Sequence, residues 1–365
     1  MYLTQHEVEN YRNLTRLSFG PAQGVNVISG QNGQGKTNLL ESVFLMTGAR
    51  SFRAAKDVSL IQSGCDFAVL RSDFNRDSRQ QHIRITIQST GRTARLNGSG
   101  DSAASSLAGT FCCVVFSPEH LVLVKSSPDQ RRRFIDTALC QISPAYRHNL
   151  SSYVRLVSQR NALLRQAGAV PAALDLLDVY NRQYVELAAA LTQTRRRFCV
   201  KLDQTAGACY SQLSAGREKL SLRYESTLFD ESLTEDDQQR EGVESLRKRL
   251  SEEIKLGYTL CGPHRDDLNM MISDRSARLY ASQGQQRCIV LSLKMAEADL
   301  IEQTIGERPI LLLDDVLSEL DGDRQDFLVS SMSRGQSLIT SCTPQLIAGR
   351  TDAPVFTLEN GQWKA

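Results

Sequence analysis

Short apolar stretches separated by turn residues occupy about the first 115 residues of the chain. Residues 25–29 are largely apolar and β-branched, residues 82–88 alternate between apolar and polar side chains, and residues 112–116 are again apolar. Alternation with a period of two is typical of a half-buried strand, and the pair Asn97 and Gly98 marks a turn. The pattern therefore predicts a segment rich in β-strands.

From residue 129 the chain changes to long stretches that are rich in Leu, Ala, Gln and Arg and lack strand alternation. Prolines fall between these stretches rather than inside them, which favours helices. The predicted helices cover residues 129–141, 145–167 and 172–213. An acidic segment at 229–242 is predicted to be an exposed loop, and a short helix is predicted over 243–255.

Apolar runs return after about residue 258. Residues 309–315, PILLLDD, are typical of a buried parallel strand, and shorter strands are predicted at 337–340 and 355–358. The fold class predicted is therefore α/β. One domain is formed by both chain ends, residues 1–116 and 256–365, and a mainly α-helical domain, residues 117–255, is inserted between them.

Composition is that of an ordinary globular protein and excludes a disordered or collagen-like chain. The 365 residues are 41% hydrophobic and 23% charged, with a net charge of +2. Nine cysteines, an odd number without CxxC spacing, indicate reduced thiols rather than a disulfide scaffold or a zinc site. The chain starts without the apolar run of a signal peptide, and no apolar stretch approaches the ~18 residues of a membrane span. These features predict a cytoplasmic protein.

Residues 30–37, GQNGQGKT, match the phosphate-loop pattern GxxxxGK[ST]. The motif follows a predicted strand and precedes an apolar helical run, so backbone N–H groups and the helix N-terminus are expected to face an anion. Lys36 is expected to reach the β- and γ-phosphates of ATP, and the Thr37 hydroxyl is expected to hold Mg²⁺. The other residues predicted to contact the nucleotide here are Gly30, Asn32, Gly33 and Gly35.

A phosphate loop also needs an acidic partner on a neighbouring strand. The run 310–313 is followed by Asp314 and Asp315, which places two carboxylates at the C-terminal end of a strand, where ligands bind in open α/β sheets. Asp314 is predicted to join the Mg²⁺ shell and Asp315 to orient the attacking water. The alternative is an ordinary strand end with a solvated turn.

Two further motifs flank the acidic pair, one before it and one after it. Residues 281–287, ASQGQQR, lead into a predicted helix ahead of it, and residues 318–321, SELD, follow it. This is the motif order of ABC-type ATPases, in which the SxGQ signature of one subunit caps the γ-phosphate held by the other. A hydroxyl, a glycine N–H and a helix N-terminus suit that task. Ser282, Gly284 and Gln285 are therefore predicted to bind nucleotide across a homodimer; the alternative is a polar loop before a helix.

With these motifs, the sequence resembles the RecF family of bacterial recombination mediators, which are relatives of SMC-type ATPase heads. The resemblance runs nearly end to end and rests on the stretches ENYRNL, GQNGQGKT, SFR, SPEHLVLVKSSPDQRRRFID, GPHRDDL, SQGQQR and LLLDDVLSELD. The fourth and the last are the specific ones, because transporter ATPases do not carry them. Ser126 departs from the glycine that is usual in the family.

The resemblance implies further roles for single residues. Arg12 in NYRNL corresponds to an arginine near the phosphates, and Arg53 in SFR to an arginine that acts in trans. Glu119 is a candidate at the place where related ATPases have a Q-loop. Cys342 and Thr343 stand where transporter ATPases carry a switch histidine, so weak hydrolysis is expected.

Charge is unevenly distributed along the chain. Residues 131–203 contain twelve basic and five acidic residues, a net charge of +7 in a chain whose total is +2. Arginine forks suit phosphate groups, and no base-reading motif is present, so backbone contacts with DNA are expected. Arg131, Arg132 and Arg133 are the predicted contacts, and the alternative is a set of solvated helix faces.

Motifs and resemblance together imply an ATP-gated dimeric clamp on duplex or gapped DNA that binds ATP and Mg²⁺ and hydrolyses ATP slowly, with stimulation by DNA. The resemblance implies recombinational repair, in which RecO and RecR are assisted in loading RecA, with links to replication and the SOS response. The alternatives are a transporter-type ATPase subunit and a P-loop phosphotransferase. The basic insert and the family-specific stretches argue against both.

Overall fold

A computed structural model describes residues 1–53, 56–168, 170, 172–230, 235–348 and 350–364, and for residues 235, 236, 319, 346 and 348 it describes the backbone alone. The chain divides into two compact units. The head unit comprises Met1–Leu121, Ala208–Arg217 and Gln283–Ala365, and the inserted unit comprises Val122–Gly207 and Glu218–Ser282.

Both units combine strands and helices. The strands are β1 Tyr2–Tyr11, β2 Leu14–Phe19, β3 Val25–Ser29, β4 Phe67–Arg76, β5 Arg79–Gln88, β6 Gly91–Leu96, β7 Ser102–Ala103, β8 Cys113–Phe116, β9 Leu220–Glu225, β10 Asp267–Ile272, β11 Arg275–Ser276, β12 Ile310–Asp314, β13 Ser337–Ser341, β14 Val355–Glu359 and β15 Gln362–Trp363. The α-helices are α1 Lys36–Leu45, α2 Val122–Lys125, α3 Pro128–Ile142, α4 Pro144–Ala167, α5 Ala172–Leu213, α6 Glu235–Leu256, α7 Ala277–Tyr280, α8 Gln283–Ile305, α9 Gly322–Met332 and α10 Gln345–Ala348. Short 3-10 helices cover Asp57–Leu60, Ala104–Leu107, Pro118–Leu121 and Leu317–Glu319.

A sheet with the strand order β15-β14-β3-β13-β12-β8 forms the centre of the head unit. All neighbours pair in parallel except β14 and β15, and β8, β12 and β13 are buried along their whole length. Burial on both faces explains the continuous apolar sequences of β8 and of residues 310–313 in β12. Because β3, β12 and β13 run in the same direction, their carboxyl ends meet at one edge, and the α/β class predicted from the sequence is confirmed.

The head unit contains a second sheet, with the order β2-β1-β4-β5-β6-β7, whose paired strands are antiparallel. Its core face is a cross-strand row of apolar side chains, each at most 1% exposed: Val8, Leu70, Ile85 and Ala94. Helix α1 packs against this sheet, because His6 Nε2 lies 2.8 Å from the hydroxyl of Ser42. The helix that follows the phosphate loop is thereby fixed to β1.

The inserted unit is helical but also contains the three-stranded sheet β11-β10-β9. This sheet corrects the predicted boundary at residue 256. Strand β10 pairs with β9 from Asp267 opposite Glu225 to Ile272 opposite Leu220, so residues 256–282 share the core of the inserted unit. Residues 208–217, which include the last residues of α5, belong instead to the head unit.

The sequence predicted that the acidic segment 229–242 is an exposed loop, but this prediction is wrong for part of the segment. Helix α6 begins at Glu235, and residues 231–234 lie outside the described part of the chain. Gln238, Gly242 and Leu246 are buried at a spacing of four residues, which gives this polar helix one inward face. Two of these three residues are not hydrophobic, so only the spacing of the buried positions indicates a helix.

Candidate nucleotide site

The phosphate loop connects β3 to α1, which confirms the predicted strand–loop–helix context. Gly30, Gly33 and Gly35 have φ angles of 152°, 82° and 103°, a region that favours glycine. A Cβ atom at Gly30 would collide with the carbonyl oxygen of Leu358 on β14. Helix α1 begins at Lys36 with no side-chain cap and no acidic residue in its first turn, which leaves its first N–H groups to an anion.

Lys36 lies inside this loop. It is 7% exposed, and its Nζ donates to the carbonyl oxygens of Gly30 at 2.6 Å and Gln31 at 3.0 Å. The Cys342 Sγ, beyond the end of β13, lies 3.4 Å from Nζ and 3.1 Å from Asn32 Oδ1. The ammonium is therefore held by loop carbonyls at the place where a bound phosphate would meet it.

Thr37 and Asp314 are in direct contact. The Thr37 hydroxyl donates to Asp314 Oδ1 at 2.7 Å, and the Thr340 hydroxyl on β13 donates to the same oxygen at 2.8 Å. Hydroxyl and carboxylate oxygens are the ligands that Mg²⁺ prefers, and such a site usually completes the shell with water and phosphate oxygens. The two residues predicted to hold the ion thus lie together and fit it chemically.

Asp315 follows β12 in a strained backbone conformation, with φ at 52°. Its N–H donates to the Thr340 hydroxyl at 3.0 Å, which fixes the turn. Burial raises the pKa of the Asp315 carboxyl, while the nearby Lys36 ammonium counteracts part of that shift. A carboxylate with a raised pKa, beside a lysine that is predicted to bind phosphate, is suited to accept a proton from water.

Arg12 lies against α1 rather than free in solution. Its Nε and Nη2 donate to the two oxygens of Glu41 at 2.5 and 2.8 Å, and the Glu41 side chain is completely buried. The next residue, Asn13, donates from Nδ2 to the carbonyl oxygen of Gly33 at 3.2 Å. The turn after β1 therefore contacts the phosphate loop directly, which agrees with a place for Arg12 near the phosphates.

Arg53 is connected by hydrogen bonds to the same turn of the head unit that contains Arg12 and Asn13. Its Nη1 donates to Asn38 Oδ1 at 2.9 Å, and its Nε lies 3.7 Å from a carboxylate oxygen of Glu119. Asn38 in turn donates to Asn13 Oδ1 at 2.7 Å. Hydrogen bonds thus link Arg53 to the phosphate loop of its own chain, while its guanidinium remains partly exposed.

The signature motif lies at the start of α8, as predicted. The helix begins at Gln283, so Ser282 directly precedes it and Gly284 and Gln285 form part of its first turn, which contains no acidic residue. Ser282 is exposed, and Gly284 and Gln285 are half-buried. Their contact with a γ-phosphate across a dimer stays a prediction.

The predicted DNA contacts are corrected in part. Arg131 is 3% exposed, and its guanidinium makes a bidentate pair with Asp267 at 2.7 and 2.8 Å, so it faces the core of the inserted unit. Arg132 donates to the carbonyl oxygen of Asp266 at 2.6 Å. Arg133 is the exposed member of the triplet. A helix turns by about 100° per residue, so three consecutive arginines cannot share one face.

Several residues of the site were missed by sequence reasoning. Thr340 was seen only as part of a strand, although it lies beside Asp314 in the parallel register of β12 and β13. Asn13 lies within the stretch ENYRNL and Asn38 directly follows the phosphate-loop motif, but their contact is visible only in three dimensions. Glu41 carried one usable signal, because a carboxylate among the mainly apolar residues 39–45 of this helix requires a partner if that stretch is buried.

None of the helices in the described ranges combines the length and the apolar composition required to cross a membrane. The family model for the RecF/RecN/SMC N-terminal domain matches residues 2–360. A DNA replication and repair protein RecF from Ruminiclostridium cellulolyticum is 39% identical over 340 residues, which is 92% of this chain and 91% of the relative. The RecF of Bacillus subtilis is 38% identical over 370 residues, 99% of each chain.

A solved structure of the recombination mediator protein RecF with ATP, from the RecFOR pathway, matches the fold with a TM-score of 0.92 at 30% identity. The match covers 100% of this chain and 97% of that one. Family model, full-length relatives and fold agree with the motifs that surround the phosphate loop, and the chain belongs to the RecF family.

Proposed function

We propose that this protein is an ATP-dependent DNA-binding protein of recombinational repair, which clamps duplex DNA at the edge of a gap as an ATP-gated dimer. Its relatives are named DNA replication and repair proteins, and the similar RecF–ATP structure is of a recombination mediator in the RecFOR pathway. On the basis of this similarity, its partners are RecO and RecR, and together they load RecA onto DNA in the cytoplasm. Its role extends to replication and the SOS response.

The observation that carries the proposal is the contact between Thr37 and Asp314 beside the buried Lys36. Bound Mg²⁺ would neutralise phosphate charge at this edge of the sheet. Thr37 and Asp314 would hold that ion, the glycine-rich backbone would bind the phosphates, and the Lys36 ammonium would exchange its two carbonyl contacts for phosphate oxygens.

Hydrolysis in this proposal is slow and stimulated by DNA. Asp315 orients the attacking water and accepts its proton, and burial raises the pKa of its carboxyl toward that task. Cys342 directly follows β13, at the place where transporter ATPases carry a switch histidine. A thiol is a weaker hydrogen-bond donor than an imidazole, so it would position the γ-phosphate less firmly. Weak turnover suits a protein whose ATP acts mainly as a switch.

The proposed clamp needs two chains. Ser282, Gly284 and Gln285 of one copy serve the nucleotide held by the other, because a helix start without acidic residues is suited to an anion. Arg53 of each copy acts on the partner's nucleotide. Exposed Arg133, with Arg132 beside it, contributes DNA backbone contacts, while Arg131 is left out of the proposal because of its pair with Asp267.

Light scattering of a Ser282→Arg variant with ATP tests the composite site. The added side chain would stand where the partner's γ-phosphate docks, so the variant should bind ATP as a monomer, fail to dimerise and lose stable DNA binding. The matched control is Ser330→Arg, at an exposed position of α9, which should dimerise like the wild type. ATP-dependent dimerisation of Ser282→Arg at wild-type level would show that SQGQQ is only a helix start.

The same assays separate the rival functions. A transporter-type subunit would fractionate with membranes and ignore DNA, and a phosphotransferase would need an acceptor molecule for turnover. Stimulation of ATP turnover by DNA, without either requirement, is the expected result.

A further inference from the structure

We propose that Glu41 is a positioning residue shared by two arginines of the nucleotide site. It fixes Arg12, which serves the nucleotide of its own subunit, and through Ser51 it fixes the loop that carries Arg53, which serves the nucleotide of the partner. This inference rests on the proposed function, in which both arginines act on nucleotide. A single buried carboxylate would then couple the two halves of the composite site.

Glu41 lies one helical turn after Thr37 on α1, and its side chain is completely buried. Three groups donate to its two oxygens. The hydroxyl of Tyr11 donates at 2.8 Å, the guanidinium of Arg12 donates twice, and the hydroxyl of Ser51 donates to Oε1. A buried carboxylate is stable only when it is paired and hydrogen-bonded, so Glu41 holds all three groups firmly.

The contact with Arg12 leaves one edge of the guanidinium for a ligand. The bidentate pair uses Nε and Nη2, whereas Nη1 makes no hydrogen bond with any residue that the structure describes. The Arg12 side chain remains 21% exposed. Its backbone has φ at 50°, and the adjacent Asn13 contacts the phosphate loop. Glu41 therefore holds the Arg12 guanidinium in a fixed position with one edge left for a ligand, next to a residue that contacts the phosphate loop.

The second contact reaches Arg53. The Ser51 oxygen that donates to Glu41 also accepts the backbone N–H of Arg53 at 3.0 Å. Ser51 is only 2% exposed, while the Arg53 guanidinium, which contacts Asn38, is 32% exposed. The base of this arginine is therefore tied to the buried carboxylate, while its guanidinium rests on Asn38 and remains partly exposed, so that a partner could reach it.

The two connections can be cut separately. Glu41→Gln removes the charge with little change of shape and weakens both connections. Ser51→Ala removes only the connection to Arg53. Glu253→Gln is the matched control, because Glu253 is also completely buried and pairs with Arg160 at 2.6 Å, but in the inserted unit. It reproduces the loss of a buried ion pair without touching the nucleotide site.

The first measurement is the affinity of each monomer for a fluorescent ATP analogue. Glu41→Gln should weaken binding about tenfold, the effect of one misplaced charge-assisted contact. Ser51→Ala and Glu253→Gln should bind like the wild type. Wild-type affinity of Glu41→Gln, with its fold verified by thermal unfolding, would overturn the Arg12 half of the proposal.

The second measurement uses a helper subunit that cannot bind nucleotide. Lys36→Ala mixed with Arg53→Ala should restore DNA-stimulated turnover, because the helper donates its intact Arg53 to the one working phosphate loop. A Lys36→Ala helper that also carries Glu41→Gln, or Ser51→Ala, should restore at least tenfold less. A Lys36→Ala helper with Glu253→Gln should restore as much as the simple helper.

The outcomes distinguish this proposal from the function on which it rests. If the simple helper restores nothing, Arg53 does not act in trans, the proposed composite site is wrong, and the Arg53 half of this proposal is wrong with it. If the simple helper works and the Glu41→Gln helper works equally well, the composite site stands and Glu41 does not position Arg53. Dimerisation measured in parallel should be retained by the Glu41→Gln helper, whereas a merely structural defect would reduce dimerisation and rescue together.

Discussion

The environment of Lys36 restricts the shape of the side chain that can occupy this position. Lys36 is 7% exposed, and its ammonium donates to two carbonyl oxygens of the loop. Lys36→Arg keeps the charge but replaces a compact ammonium with a planar fork. ATP should still bind, while turnover and stable DNA binding should each fall at least tenfold, about 1.4 kcal/mol.

The measurement is steady-state ATP turnover together with DNA retention in gel filtration. Lys56→Arg, at an exposed lysine of the same unit, is the control and should behave like the wild type. Unchanged turnover of Lys36→Arg would contradict the role assigned to this side chain.

Single residues were predictable where chemistry dictates their type and spacing. Phosphate binding requires glycines and a lysine, and a magnesium site requires a hydroxyl and a carboxylate, so the sequence predicted that Thr37 and Asp314 act together. The structure places the Thr37 hydroxyl 2.7 Å from Asp314 Oδ1, and their binding of Mg²⁺ stays a prediction. Glu41 was not found, because its importance arises from the approach of β1 and the 51–53 loop to α1. Nothing in the local sequence specifies that approach.

Among the segments, residues 262–268, GPHRDDL, had no physical explanation from sequence. The structure explains them as a hub of the inserted unit. Gly262 has φ at 124°, and a Cβ there would collide with the hydroxyl of Tyr184. Asp266 accepts hydrogen bonds from Tyr224 and Thr227, and Asp267 pairs with Arg131. The motif joins strands and helices that are distant in the chain, which no local pattern reveals.

His264 gives this segment a pH dependence. Its Nε2 donates to the carbonyl oxygen of Thr259, the Tyr153 hydroxyl lies 2.7 Å from its Nδ1, and burial lowers its pKa from 6.5 to about 4. The unfolded chain therefore binds a proton between these pH values and the folded chain does not. Stability should fall as pH decreases from 6.5 toward 4, by up to about 3 kcal/mol from this group.

Denaturant unfolding at pH 8 and pH 4 tests this expectation. At pH 8 the difference in the free energy of unfolding between His264→Gln and the wild type gives the structural cost of the substitution. Between pH 8 and pH 4 the variant should lose less stability than the wild type, because glutamine does not titrate. An equal loss in both proteins would show that His264 is not the titrating group.

Elements were predictable where burial is uniform and not where it is mixed. The fully buried strands β12 and β13 and the long helices α3 to α5 were predicted within a few residues. Strands β9 and β10 were missed, because they lie in a segment whose helical neighbours dominate the pattern. Their pairing spans more than forty residues of sequence and moves the domain boundary, which only the register reveals.

At the scale of the whole molecule, the charge of the insert is less available than its sequence suggested. Arg160 and Arg195 are at most 2% exposed and pair with Glu253 and Asp136. With Arg131, three of the twelve basic residues serve the interior of the inserted unit. A charge count along the sequence cannot separate such structural arginines from surface ones, because both have the same composition.

The remaining exposed residues make the DNA proposal sharper. Arg133 is exposed on α3, while its neighbour Arg131 is buried against Asp267. Arg133→Ala should weaken DNA binding without regard to sequence and reduce the slope of log affinity against log salt by about 1, the value for one phosphate contact. Arg131→Ala should instead lower the free energy of unfolding by about 2 kcal/mol, because it leaves the Asp267 carboxylate without its bidentate partner.

Fluorescence anisotropy of labelled duplex DNA over a range of salt concentrations, with ATP present, separates the two effects. Arg131→Ala that remains folded should keep the wild-type salt slope, since its guanidinium releases no counterion from DNA. If Arg131→Ala loses the slope and Arg133→Ala keeps it, the inserted unit must rearrange on DNA and expose the buried fork. If neither variant changes the slope, DNA binds through other residues, and the exposed face of α3 is only a solvated helix surface.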